Sequence, residues 1–342
     1  RARMTDSKAA YLHFLELYPN GKNVKKALER VNEIDKNQDL KDWALAREQG
    51  DIAGYKRYQT IHPEGLFKEA ASAEINKLSG KTTRSKEPGD LVNVPRMIKI
   101  DGGNFSWGAE NAKKGSKKII TVKDFMLSES EVTNEQYCTF LNAEGNKYMD
   151  KDYLILTKDC LIERKDGIFI PKKGFELHPV IQVTWYGANA YCEWLSRITG
   201  KKYRLPSESE WEYAAAGGTG IRNKWAGTDE VDQLRQYGNF SRSEKEDTFD
   251  YTSPVKSFKA NSLDLYDMSG NVWEWCMDTW AGKIDDVPSD GSSRDKGNLA
   301  KRAIRGGAWN SFDEIELEAS FRSNGIATKG YYSVGFRPAG DP

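Results

Sequence analysis

Thiols, imidazoles and nucleophile elbows are the side-chain arrangements that most often announce chemistry, and this chain is poor in all three. Its four cysteines, Cys138, Cys160, Cys192 and Cys276, form no C-x-x-C pair and allow two disulfides in three connectivities, or none. His13, His62 and His178 are not spaced as metal ligands, and two of them simply precede a proline, Pro63 and Pro179. No G-x-S-x-G elbow and no Walker loop is present. The conspicuous chemistry is that of recognition, and it lies in residues 308–333. Asn310, Ser311, Phe312 and Asp313 follow Trp309; Phe321, Ser323, Asn324, Gly325 and Ile326 come next, then Tyr331, Tyr332 and Ser333. Phe and Tyr offer rigid contact area at small entropic cost, and Ser, Asn and Gly adapt their hydrogen bonding, the division of labour used in antibody loops. Between the clusters Glu314, Glu316 and Glu318 alternate with Ile315, Leu317 and Ala319, which predicts a strand with one wet and one dry face. The plainer alternative is a loop whose rings pack inward.

Something must hold such a surface still. At 342 residues the chain is long enough for about two domains and a proper core. Lys plus Arg (51) balance Asp plus Glu (51), so neither a basic nucleic-acid footprint nor an acidic tail dominates. The mean hydropathy is −0.73, and no apolar run reaches the ~18 residues that a membrane span needs. Residues 1–80 carry an internal repeat: Tyr11, Phe14, Leu17, Pro19, Gly21, Ala27 and Val31 recur 44 positions later as Tyr55, Tyr58, Ile61, Pro63, Gly65, Ala71 and Ile75. Each copy reads as helix, Pro/Gly break, helix, the grammar of tetratricopeptide-like arrays, with Trp43 opening the second unit. A spacer or docking stalk is the role this implies. Residues 81–94 read as a linker and 95–342 as the second domain. There, Met97 to Phe105 reads as strand and turn about Gly102-Gly103. Thr133 with Gln136 and Ser207 with Glu210 are capping-box pairs, predicting helices over 134–142 and through Trp211 to Ala215. Another helix is predicted over 187–198, and beyond Gly217 no good helical period remains.

Six ordered motifs then carry a resemblance: MIKIDGGNFSWG from Met97, HPVIQVTW from His178, YRLPSESEWEYA from Tyr203, LYDMSGNVWEW from Leu265, RGGAW from Arg305 and VGFR from Val334. Together they resemble the formylglycine-generating enzyme, or sulfatase-modifying factor, family. The resemblance implies an α+β, C-type-lectin-like fold behind the small all-α segment. It does not by itself imply activity. In those enzymes a cysteine pair after the glycine motif holds copper, which needs thiolates; the corresponding positions here are Ser311 and Glu316. A catalytic role, copper and iron are therefore not expected. The resemblance further implies two structural calcium sites, one on Asn239, Phe240, Asp247 and Phe249, the other on Asp267, Gly270, Val272 and Glu274, with Phe, Gly and Val acting through carbonyls. The alternative is that Asp247 and Asp267 cap turns and Glu274 pairs with an arginine.

The end of the chain also resembles the bacterial variable proteins of diversity-generating retroelements, whose lectin-type C-termini vary between a GG-S/A-W motif and a final GFR. The resemblance implies a non-catalytic, receptor- or adhesin-like protein at the cell surface or secreted, with a lipid anchor upstream of Arg1. Its ligand would be a protein or another surface molecule, gripped by Phe312, Phe321, Tyr331 and Tyr332 as anchors. Nucleic acid is not expected as a partner. A metal-dependent oxidoreductase and a calcium-dependent carbohydrate-binding lectin are the alternatives.

Overall fold

The computed structural model describes residues 11, 14–15, 23–63, 65, 68–78, 94–108, 118–148, 151–165, 167–220, 222–241, 249–282, 286–296 and 298–342. Two compact units emerge, Arg1–Val92 with Arg164–Ile168, and Asn93–Glu163 with Phe169–Pro342.

The first unit holds helices α1 (Val24–Gln49), α2 (Ile52–Ile61) and α3 (Lys68–Leu78), with Tyr11, Phe14 and Leu15 also helical. Gly50 ends α1 in the left-handed region at φ 60°, and Asp51 starts α2 by accepting the Gly54 N–H at 2.7 Å. The second copy of the repeat spans α2 and α3. Tyr55 and Tyr58 of α2 bury against Ala46 and Ala71, with Trp43 and Ile75 beside them, and Pro63 lies in the break. The first copy is described only in part: Leu17, Pro19 and Gly21 lie outside the described residues, as do positions 81–93 of the linker. Trp43 does not open a new helix, because α1 runs unbroken from Val24 past Val31 to Gln49. His62 spends its Nε2 on Asp42 at 2.8 Å, an ordinary packing role.

The second unit is α+β. The strands from Met97 on are β1 (Met97–Ile100), β2 (Gly103–Trp107), β3 (Lys118–Val122), β4 (Phe125–Ser128), β5 (Lys147–Tyr148), β6 (Lys151–Asp152), β7 (Ile162–Lys165), β8 (Ile168–Pro171), β9 (Tyr203–Arg204), β10 (Trp273–Trp280), β11 (Asn298–Arg305), β12 (Ser323–Ile326), β13 (Val334–Gly335) and β14 (Ala339–Gly340), of which β7 and β8 include residues of Arg164–Ile168. Its helices are α4 (Asn134–Glu144), α5 (Trp185–Thr199) and α6 (Glu208–Ala215). Both predicted capping boxes form, Thr133 with Gln136 and Ser207 with Glu210. Two four-stranded sheets, β1-β4-β14-β9 and β12-β11-β10-β13, are joined by long irregular chain. Trp107, Phe125, Leu127, Trp211, Met268 and Cys276 share one core around α6, so the motifs from Met97, Tyr203 and Leu265 meet in space. No described helix is long and apolar enough to cross a membrane.

Candidate ligand-binding face

Strand β11 delivers Arg305 to the interior, where it has no exposure. Its Nη2 donates to Glu212 at 2.7 Å and to the Ala319 carbonyl at 2.6 Å, and its Nη1 lies 3.3 Å from Glu208. Arg322 donates to both oxygens of Glu208, at 2.8 and 2.6 Å, with its guanidinium between the rings of Trp107 (4.8 Å) and Trp280 (4.9 Å). Burial alone would push the Glu208 carboxyl up. Arg322, Arg305 and Arg294 outweigh it and hold the group below its ordinary value. A second corner lies around Arg337, which takes both oxygens of Glu274 at 2.7 Å while Trp211 Nε1 donates to Glu274 Oε2 at 2.8 Å. These pairs lock the chain on either side of residues 308–333.

The middle of that segment is not the predicted strand. Glu314–Leu317 is a 3-10 turn, started by Asp313, whose carboxylate accepts the Ile315 N–H at 3.0 Å. Leu317 and Ala319 are buried as the alternation predicts, but Ile315 is 52% exposed. Trp225 Nε1 donates to the Glu314 carbonyl and Ser269 Oγ to that of Leu317, fixing the turn from below.

The predicted contact residues divide in the structure. Phe312 (76% exposed), Tyr332 (46%) and Asp313 stand in solvent, with Trp309, Asn310, Phe321, Ser323, Asn324, Ile326 and Ser333 half-buried. Ser311 is buried, its hydroxyl accepting the Ala308 N–H, so it makes a turn rather than a contact. Gly325 is buried too: a Cβ there would lie 2.4 Å from the Trp275 ring, which excludes any larger residue without repacking. Tyr331 packs beside Trp275 and its hydroxyl accepts the Ile326 N–H at 2.8 Å, making it a prop rather than an anchor. Along β12, Ser323 and Gly325 alternate with Asn324 and Ile326, so the two pairs face opposite sides of the sheet. Two rings escaped the sequence reading. Tyr251 lies 4.4 Å from Trp309, which in turn is 6.0 Å from Tyr332, and Trp273 lies 5.9 Å from Phe321. Trp273 sits inside the NVWEW motif and could have been noticed there; Tyr251 stands outside every motif.

A "Sulfatase-modifying factor enzyme 1-like domain" matches residues 82–342. The chain belongs to that family. It is 37% identical over 256 residues to the serine/threonine-protein kinase Pkn1 of Chlamydia trachomatis, covering 72% of this chain but 38% of that protein. The chain thus spans under two-fifths of that relative's length. An inactive C-alpha-formylglycine-generating enzyme 2 of Mus musculus is 28% identical over 268 residues, 67% of this chain and 78% of the mouse protein. The solved Treponema denticola variable protein 1 superposes with TM-score 0.55 at 25% identity, over 72% of this chain and 95% of that one. The fold of the second unit is accordingly that of the formylglycine-generating enzymes, C-type-lectin-like. Relatives of this family domain thus include proteins named inactive or variable as well as enzymes.

The residues that the family resemblance singled out for metal are placed as follows. Asp247 lies outside the described residues. Asn239 Nδ2 donates to the Tyr251 carbonyl, its own carbonyl accepts the Asn271 N–H, and Phe240 packs with Trp225, Leu234 and Leu317. Phe249 lies 6.3 Å from Phe258. Gly270 and Val272 are buried beside Asp267 in the chain, but Glu274 has both oxygens engaged by Arg337 and Trp211 and is a poor fit to a cation. The unpartnered oxygens there are Asp267 Oδ1 and Glu131 Oε2, both buried. Burial pushes both carboxyls up, Asp267 to about 6, and the charge of Asp267 adds to the rise at Glu131. Among the described residues no group of three or more His, Cys, Asp and Glu is placed to hold a metal. All four cysteines are buried and free, and burial pushes each thiol up, which leaves them protonated and unreactive. His178 is likewise engaged, its Nδ1 2.9 Å from Thr252 Oγ1.

Proposed function

We propose that this chain is a non-catalytic recognition protein that binds a protein or other surface ligand through Phe312, Tyr332, Trp309 and Phe321. The carrying observation is the exposure of Phe312 and Tyr332 on chain that the Arg305, Arg322 and Arg337 pairs hold fixed. Large rings clustered in water mark interaction surfaces, and a rigid mounting lowers the entropy lost on binding. The likeness to a variable protein supports the same reading. Ser311 and Glu316, at the positions where the family's enzymes carry their cysteine pair, supply a hydroxyl already spent in a turn and a carboxylate. Display at the outer surface of a bacterial cell, by a lipid anchor upstream, is part of the proposal. A structural calcium ion at Asp267 is also part of the proposal; a calcium-dependent rise in melting temperature that Asp267→Asn removes supports this, and no rise removes the ion from the proposal.

The test is a random dodecapeptide phage selection on the chain, with the Phe312→Ala/Tyr332→Ala variant as counter-target. Clones that bind the wild type and lose the double variant are expected, while the variant keeps its melting temperature. Clones that bind both proteins equally would refute the face.

A further inference from the structure

The ring face is bordered by carboxylates with no cation paired to them among the described residues. Tyr251, Trp309 and Tyr332 run side by side, with ring centroids 4.4 and 6.0 Å apart. Asp250 precedes Tyr251 in the chain and is exposed. Asp159 is exposed as well, and its carbonyl accepts the Tyr251 hydroxyl at 3.5 Å. After burial, the charge of Asp159 is the next largest influence holding the Tyr251 phenol up at about 12. Asp313 follows the most exposed ring, Phe312, and its carboxylate accepts the Ile315 N–H. None of the three aspartates lies within 4.0 Å of a described Lys or Arg nitrogen, whereas Glu318 of the same return segment has Lys224 at 3.2 Å. Lys172, close in the fold, turns its Nζ to the Lys158 carbonyl instead. The face therefore combines an electron-rich indole and phenols with uncompensated negative charge.

Resting on the reading of this face as a binding surface, we infer that its partner is a protein segment presenting an Arg or Lys side chain to Trp309, Tyr251 and Tyr332, with Asp159, Asp250 and Asp313 around the cation. A guanidinium stacks on an indole face through cation–π attraction and can pair with a carboxylate in its own plane. An acidic or wholly apolar segment would find only repulsion or unpaired charge there, so the carboxylates select as well as attract.

The same peptide selection decides it through the composition of the clones that depend on Phe312 and Tyr332. Enrichment of Arg or Lys in those clones is expected. The Asp159→Asn/Asp250→Asn/Asp313→Asn variant, with unchanged melting temperature, should bind them about tenfold more weakly and lose most of the salt dependence, the sum of three modest exposed pairs. Face-dependent clones without basic residues, or an affinity unmoved by the triple variant, would overturn the cationic partner and leave the face standing. Clones indifferent to Phe312 and Tyr332 would overturn both.

Discussion

Beneath residues 319–323 lie Arg305, Glu208 and Glu212 with no exposure at all, while Phe312 and Tyr332 of the same return segment stand largely in solvent. In the first group each charge has an opposite charge or a carbonyl at hydrogen-bond distance. The second makes almost none, Tyr332 receiving only a 3.3 Å contact from Asn310. The difference shows how one segment can be rigid in its backbone and free in its side chains. Shape is held by buried ion pairs beneath the exposed rings, so side chains at the tip can be replaced without changing its path.

The sharpest way to break the comparison is to remove the frame. Arg305→Met removes the 2.7 Å partner of Glu212, leaving it Arg222 at 3.3 Å, and weakens the neutralisation of Glu208 in the core; breaking a buried pair from one side costs about 3–5 kcal/mol. A denaturant titration should register that loss. An unchanged midpoint would mean the ion pairs do not carry the segment.

The frame also has a pH signature. Asp278, buried on β10, accepts the N–H groups of Glu208 and Arg294 at 2.8 Å, yet burial and then the charge of Glu208 push its carboxyl up to about 7. A carboxyl raised in the folded state binds more protons there than in the unfolded chain. Its contribution to stability is therefore full below the ordinary aspartate range and falls as pH rises toward 7, by a few kcal/mol at most. Asp278→Asn should flatten that fall in a series of melts from pH 4 to pH 8; a parallel curve for the variant would remove Asp278 as its source.

Local signals in the sequence were good guides to this fold, and distant ones were not. Thr133–Gln136 and Ser207–Glu210 are closed within one turn, so their capping boxes could be read directly, as could the second helix pair of the repeat. The 3-10 turn at Glu314–Leu317 defeated the alternating pattern because the Asp313 cap and the Ser269 and Trp225 bonds from other elements override a short strand propensity. At the candidate site the residue types were legible and their directions were not. Ser311 and Gly325 look adaptable in composition but are buried by partners far away in sequence, and Tyr331 cannot be told from Tyr332 without Trp275 beside it. The metal expectation had the same weakness, since no spacing rule shows that Arg337 occupies Glu274.

Gly325 and Tyr331 test where frame ends and face begins. Gly325→Ala places a methyl into the Trp275 ring and should cost about 1–3 kcal/mol through overpacking. Tyr331→Phe leaves the Ile326 N–H without its acceptor and should cost about 1 kcal/mol. If thermal melts show neither loss, both positions belong to the variable side of the segment.

The smallest expected effect is the most informative. Phe312→Ser and Tyr332→Ser remove rings that touch little of the protein, so each should move stability by less than about 0.5 kcal/mol in either direction. Side-by-side chemical denaturation of these two variants and Tyr331→Phe compares the exposed rings with a half-buried neighbour of the same composition. A loss at Phe312 or Tyr332 as large as that at Tyr331 would mean the ring packs against the body of the protein in solution. The free energy assigned to ligand contact would then belong to folding, and the separation of frame from face would fail at its outermost residues.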